Sequence, residues 1–178
     1  MPPSQNLPDL LNRHHPADPD EKSHIAQTLK FLSEKQNPLD RNDFNPGHAV
    51  GSALLTDPSH RHVLLVMHAK LKRWLQPGGH AEPGETDLLL VSCREVAEEV
   101  GLHLDPKTGI FCDMDIHTVP ARKGDPQHLH YDFRYRFEIP IAETNPASDA
   151  LEAKWFTIEA AQNLELDSGL RRLIEKLK

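Results

Sequence analysis

The chain has 178 residues, 38 % of them hydrophobic, and a formal net charge of −7. That length supports one domain with a core of its own, and the acidic balance, with no Lys/Arg run longer than Arg171-Arg172, excludes the basic face a nucleic-acid polymer requires. No apolar run approaches the roughly 20 residues that span a bilayer. The opening "MPPSQNLPDLLNRHH" lacks the basic-then-apolar pattern of a secretory leader, and the two cysteines, Cys93 and Cys112, have neither metal-type nor framework spacing. A reducing cytoplasm is therefore the expected location, with no membrane partner.

Residues 1 to about 18 are rich in Pro, Asn and Asp and predict irregular chain. "PDEKSHIAQTLKFLSEKQ" predicts an amphipathic helix, with Asp18 as cap, Pro19 in the first turn, and Ile25, Leu29 and Leu32 at helical spacing. "NPLDRNDFNPG" ends it, so residues 1–45 read as an N-terminal extension and 46–178 as the domain proper. The extension's helix either mediates a homodimer or covers the sheet. "HAVGSALLT" and "HVLLVMHA" read as two strands joined by the turn "DPSH". Trp74 and Leu75 lead into a Pro77-Gly78-Gly79 turn, and a helix over about 87–100 ends at Gly101, a favoured left-handed terminator. "GIFCDMDIHTV" is a strand and "PARKGDPQ" a polar loop.

"HLHYDFRYRFEI" carries the clearest alternation in the chain. Leu129, Tyr131, Phe133, Tyr135, Phe137 and Ile139 fall on one face; His128, His130, Asp132, Arg134, Arg136 and Glu138 fall on the other. "PIAETNPASDA" is a loop, "LEAKWFT" the last strand, and a helix over about 158–177 closes the chain. Mixed strands and helices in this order predict an α/β or α+β sheet covered by helices.

The helix at 87–100 carries the chemistry. At about 100° per residue, Glu95, Glu98 and Glu99 share one face, while Leu89, Cys93, Val96 and Val100 form a separate apolar stripe. Like charges at this spacing cost about 0.2–0.5 kcal/mol per pair. Arg94, four residues before Glu98, offsets that cost, or a hard cation such as Mg²⁺ or Mn²⁺ does. A solvated acidic face is the alternative for such a triplet taken alone.

The segment Gly79, five residues, Glu85, followed by Arg94-Glu95-Val96-Ala97-Glu98-Glu99-Val100-Gly101-Leu102, resembles the signature of the Nudix hydrolase family. The two halves match; the joint departs, with eight residues (Thr86 to Cys93) where the signature has seven. Pro83 and Gly84 make this a turn, so the extra residue is expected to be absorbed at the loop-to-helix junction. The resemblance extends from about 46 to 177.

The resemblance implies a Nudix-like α/β/α sandwich with a mixed sheet. It also implies a metal-dependent pyrophosphohydrolase that cleaves a diphosphate linkage in a nucleoside diphosphate derivative or related pyrophosphate by water attack on phosphorus. By the same resemblance Glu95, Glu98, Arg94 and Glu85 are the catalytic candidates. Glu95, Glu98, Glu99 and a backbone carbonyl at Gly79 (or Gly78) are the metal ligands, with Mg²⁺ or Mn²⁺ as cofactor and Glu95 as ligand or base. Arg94 is expected to orient a glutamate, with Glu85 as its counterpart. A further acid from a distant loop stands open among Glu143, Asp149 and Glu152. Two other readings remain: a non-hydrolytic nucleotide-binding or regulatory domain, and a prenyl diphosphate isomerase, which would need a cysteine in the cleft.

Other constellations have plainer readings. Asp113, Asp115 and His117, with His128, His130 and Asp132, form either a hydrated or helix-covered sheet face, a second metal site, or a substrate surface. His80, His130, Asp132 and Arg134 are the substrate-contact candidates. Lys70, Lys72, Arg73, Arg122 and Lys123 either meet terminal phosphates or are solvated. Cys93, Trp74 and Trp155 read as packing residues.

Overall fold

Asp57 sets the first hairpin of the computed structural model, which describes residues 6–122 and 124–177. Its carboxylate accepts the backbone N–H groups of Arg61 (2.8 Å), His62 (2.7 Å) and Ser59 (3.2 Å). Strands β1 (Gly47–Thr56) and β2 (His62–His68) consequently pair antiparallel, with Leu55 opposite Leu64. Two short strands follow, β3 (Trp74–Leu75) against β2 and β4 (Gly78–His80) against β1. The Pro-Gly-Gly segment, expected to be a turn, is thus largely strand. Gly78 and Gly79 lie opposite Ser52 and Gly51, where a Cβ on Gly78 would strike the Ser52 side chain.

The remaining strands are β5 (Ile110–Val119), β6 (His128–Glu138) and β7 (Ala150–Thr157). β6 runs parallel to β1, and β5 antiparallel to β6. The sheet order is β3-β2-β1-β6-β5, with β4 beside β1 and β7 beside β2, a mixed and curled sheet. Alternation along the strands divides the interior. Leu55, Leu64, Val66, Tyr131, Phe133, Tyr135 and Phe137 join the core beneath α3 (Leu88–Val100). Leu54, Val63 and Leu65 join a second core with the C-terminal residues Ala161, Leu170, Leu173 and Ile174. The result is the expected sandwich of helices on both faces.

Asp87 caps α3, its Oδ1 accepting the Leu89 N–H at 2.9 Å, and Gly101 ends it at φ 73°. Leu89, Val96 and Val100 are buried, as the stripe predicted, and Cys93 is half-buried.

Two expectations need correction, and one left open is resolved. First, the stretch before residue 18 is not wholly irregular. It contains helix α1 (Leu7–Arg13), started by Asn6, whose Oδ1 accepts the Asp9 N–H at 3.1 Å, and pinned by buried Leu11. Second, the helix of the extension packs on the sheet. Helix α2 (Pro19–Glu34) stacks Phe31 on Tyr131, with centroids 3.9 Å apart and planes at 8°. Its fully buried Glu21 reaches β5, where the Met114 N–H lies 3.4 Å from Oε1. Of the two roles left open for this helix, the sheet-covering one is seen, and it shields the edge strand β5. Third, the closing helix is two, α4 (Ile158–Gln162) and α5 (Ser168–Glu175). Asp167 caps the second, accepting the Leu170 N–H at 2.8 Å, and a new cap starts a new helix.

The middle of the polar face of β6 is buried rather than hydrated. Arg134, 2 % exposed, donates through Nε to Asp132 (2.8 Å) and through its two Nη groups to Asp113 (3.3 Å) and Asp115 (3.2 Å). Arg172 of α5 donates to the same Asp113 and Asp115 at 2.9 Å. These buried charges are mutually paired, the condition under which burial is tolerated.

Candidate active site

Arg94 is the hub of the acidic helix. Its Nε and Nη2 grip the two oxygens of Glu85 at 3.0 and 3.1 Å, a bidentate fork, although one extra residue separates them along the chain. Glu85 lies before α3, in a loop whose Glu82 N–H donates back to it at 2.8 Å. The junction therefore absorbs the insertion without turning the helix. Arg94 Nη2 also donates to the His80 carbonyl at 2.7 Å, tying the helix to β4. Its Nη1 donates to Glu95 (2.9 Å) and Glu98 (3.1 Å).

Glu99 stands apart. It is 4 % exposed, its Oε2 accepts the Gly78 N–H at 3.0 Å, and among the described residues no cation pairs with it. Burial drives its carboxyl up to about 8, the bond from Gly78 opposes that, and the charges of Glu95, Asp149 and Glu98 add to it. Glu95 is also raised, first by burial, then by Glu98 and Glu85, against the pull of Arg94. Gly79 lies so close to Glu95 that an added Cβ would stand 2.5 Å from Oε1; only glycine permits that approach.

Arg94 thus neutralises part of the cluster and leaves Glu99 without a counter-charge. The donor set, three carboxylates beside a glycine backbone, fits a hard divalent ion in chemistry and in sign. The carboxylates are not gathered around one point in this arrangement. Among the described residues the one group of three His, Cys, Asp or Glu with ligand atoms all within 4.8 Å of one another is His48, His128 and His130.

Of the three candidate further acids, Asp149 adds its charge to the rise of Glu99. The loop that carries it is laid on the end of α3 by bonds from the Ala147 N–H to the Glu99 carbonyl (3.0 Å) and from Asn145 to Val100 (2.9 Å). Sequence spacing had no means of showing that proximity, because contact between residues so far apart is decided by packing.

The substrate-contact expectation for Asp132 and Arg134 is corrected. Both are 2 % exposed. Asp132 accepts from Ser52 Oγ (2.7 Å), Gln76 Nε2 (3.1 Å) and Arg134, so neither residue has a polar atom free for substrate. His80 and His130 are half-buried, their Nε2 atoms 3.2 Å apart, beside β4. Burial, then neighbouring histidines, pulls His80 down to about 4. His48, which no motif singled out, belongs to this group; its place at the start of β1 opposite His130 was the available signal. Lys70 is paired with Asp149 at 2.9 Å, and Lys123 lies outside the described residues. Neither cysteine is an activated thiol: burial pushes Cys93 up to about 11 and Cys112 up to about 12.

A family model described as NUDIX domain matches residues 46–177. The chain belongs to the Nudix hydrolase family. The named homologues support an enzyme of the Nudix pyrophosphohydrolase type. It is 33 % identical over 99 residues to the human 8-oxo-dGDP phosphatase NUDT18, covering 53 % of this chain but 28 % of that protein's length. It is 29 % identical over 130 residues to a probable DHNTP pyrophosphohydrolase of Lactococcus lactis, covering 72 % of this chain and 74 % of that one. In fold, the Nudix chain superposes on the dihydroneopterin triphosphate pyrophosphohydrolase of E. coli with TM-score 0.58 at 20 % identity, covering 72 % of this chain and 92 % of the other. The NUDIX domain of Shewanella oneidensis NrtR, solved with ADP ribose, gives 0.55 at 18 % identity over 72 % and 84 %. Among the described residues no helix is long and apolar enough to cross a membrane.

Proposed function

We propose that this Nudix chain hydrolyses the diphosphate linkage of a nucleoside diphosphate derivative or a related small pyrophosphate, with Mg²⁺ or Mn²⁺ as cofactor. The observation that carries the proposal is Glu99: a carboxyl buried beside Gly78, its proton held by that burial and by the charges of Glu95, Asp149 and Glu98, with no cation paired to it among the described residues. Such a site repels an anionic diphosphate until positive charge is added.

Glu95, Glu98, Glu99 and the Gly79 carbonyl are the residues that would hold the ion. Bound there, a divalent ion supplies charge against the phosphate oxygens and acidifies a water for attack on phosphorus. The protein's own groups do the positioning. Arg94 holds Glu85 in a fork and restrains Glu95 and the His80 carbonyl, which fixes α3 against β4. Glu95, whose carboxyl burial raises against the pull of Arg94, is either a ligand of that ion or the acceptor of the attacking water's proton. His80 and His130, at the border of the site, are the remaining candidates for substrate contact. The relatives act on a purine nucleotide and, by its name, a pterin triphosphate, so a bicyclic base carrying phosphates is the first substrate class to test.

The test is product release from a panel of nucleoside di- and triphosphates, dinucleoside polyphosphates and nucleoside diphosphate sugars, with and without Mg²⁺. Metal-dependent release from at least one member is expected. Tight nucleotide binding with no turnover of any member would overturn the reading in favour of a binding module. Conversion of a prenyl diphosphate without phosphate release would favour the isomerase, which the two unactivated thiols argue against.

A further inference from the structure

Three neighbouring strands of the Nudix sheet bring histidines to one place. His48 on β1 lies opposite His130 on parallel β6, His128 precedes His130 by two residues and so shares its face, and His80 on β4 pairs beside β1 at Val50. The rings of His48 stand 4.9 Å from His130, 5.1 Å from His128 and 5.0 Å from His80, centroid to centroid. Ligand nitrogens of His48, His128 and His130 all lie within 4.8 Å of one another.

The hydrogen bonds select which nitrogens face inward. His48 Nδ1 lies 3.0 Å from the Asp43 carbonyl, and His128 Nδ1 lies 2.8 Å from the Pro126 carbonyl. A carbonyl only accepts, so each Nδ1 carries the proton and each neutral ring presents Nε2 as a bare lone pair. This is the arrangement in which an outer carbonyl orients a metal-binding imidazole. His48 is 1 % exposed, and its Nε2 is buried without any hydrogen-bond partner. His130 Nε2 lies 3.3 Å from His128 Nε2 and 3.2 Å from His80 Nε2, and it has at most one proton to share between them. Nitrogens held about 2.0–2.1 Å from a tetrahedral ion stand roughly 3.3–3.4 Å from each other, which is close to this spacing.

We propose that His48, His128 and His130 form a second metal site, separate from the acidic helix, that takes a borderline-soft divalent ion of the zinc class through their Nε2 atoms. His80 stands at the fourth position, or water does. Imidazole nitrogens favour Zn²⁺ over Mg²⁺, whereas the carboxylates of α3 have the opposite preference. The two sites therefore discriminate between ions by ligand chemistry. The half-buried rings of His130 and His80 are the route of entry. Because the backbone of His80 is also bonded by Arg94, an ion here would stiffen the strand that carries Gly78 and Gly79.

The test uses the untagged full chain, freed of metal by chelation. One equivalent of Zn²⁺ retained through dialysis, a Zn²⁺-dependent rise in Tm, and the visible bands of tetrahedral Co²⁺ are expected. Half-buried His130→Gln should lose all three while keeping its far-ultraviolet spectrum, and His128→Gln should do the same. Glu98→Gln should retain Zn²⁺ and the Co²⁺ bands in full. Absence of a retained ion and of any Tm shift in the unsubstituted chain would overturn the proposal without recourse to a variant, leaving a packed histidine face. Retention in His130→Gln with loss in Glu98→Gln would overturn it too, by assigning the ion to the acidic helix.

Discussion

Glu21 and Lys176 lie 155 positions apart in sequence and meet at 2.6 Å, Oε1 to Nζ, with the glutamate wholly buried. Lys176 also donates to Asp113 (2.6 Å) and to the Cys112 carbonyl (2.8 Å), while His14 lies 2.7 Å from the same glutamate oxygen. This contact fastens both ends of the Nudix chain to the edge strand β5.

Burial alone would raise Glu21, but the bonds from His14, Lys176 and the Ala17 N–H outweigh it and hold the carboxyl down at about 2. A carboxyl lowered on folding contributes stability that is complete above the unfolded value of 4.5 and is lost as pH falls toward about 2. Glu21→Gln should therefore be destabilised at pH 7, by about 3–5 kcal/mol if the partners are left buried and unpaired. The gap to the unsubstituted protein should shrink as pH falls from 4.5 toward about 2. Urea unfolding across that range measures it; a gap independent of pH would refute the assignment.

Glu98→Gln should reduce Mg²⁺-dependent turnover by about 100-fold or more, the scale of losing one positioned charged group in a reaction. Its side chain is half exposed, so Tm should change little. Activity and thermal melts on the same preparation separate the two effects, and unchanged turnover would remove Glu98 from the mechanism.

Arg94 and Glu85 should couple despite the extra residue between the halves of the motif. A double-mutant cycle of Arg94→Ala and Glu85→Ala is expected to give an interaction of about 1–3 kcal/mol in stability. Arg94→Lys should behave nearly like the alanine variant, because an ammonium cannot form the two-pronged contact. A coupling near zero would mean that the fork is ornamental.

Gly79→Ala should impair catalysis more than folding. Its Cβ would stand 2.5 Å from Glu95 Oε1, the movable end of a side chain, so Glu95 is displaced while the backbone stays. Steady-state kinetics should show the loss mainly in kcat.

Metal-free protein should become less stable as pH rises from 4.5 toward about 8, because folded Glu99 keeps its proton over that range and the unfolded chain releases it. Glu99→Gln should flatten this dependence. Mg²⁺ should raise the Tm of the unsubstituted protein at pH 8 and have little effect on that of the variant, as differential scanning calorimetry would show.

Much of the fold is legible in local pattern. The alternation at Leu129–Phe137 put the correct face of β6 into the core, and Asp18 and Gly101 marked helix ends that are seen. Caps and alternation act over a few residues, so a linear reading captures them. The short strands at Trp74–Leu75 and Gly78–His80 were missed because their pairing depends on partners in β1 and β2 rather than on their own composition. The break near Asn163 was missed because one aspartate cap, Asp167, decides it.

By itself the sequence determined that Glu95, Glu98 and Glu99 share a helix face behind two glycines, and that the chain resembles the Nudix family. Helical periodicity and ordered spacing require nothing from the rest of the molecule. Tertiary structure alone decided that Arg94 serves Glu85, Glu95 and Glu98 while no cation among the described residues pairs with Glu99, that Asp132 and Arg134 are consumed internally, and that four histidines from three strands converge. Each of those outcomes depends on which strands become neighbours and which charges are cut off from water, and both are properties of the packed chain.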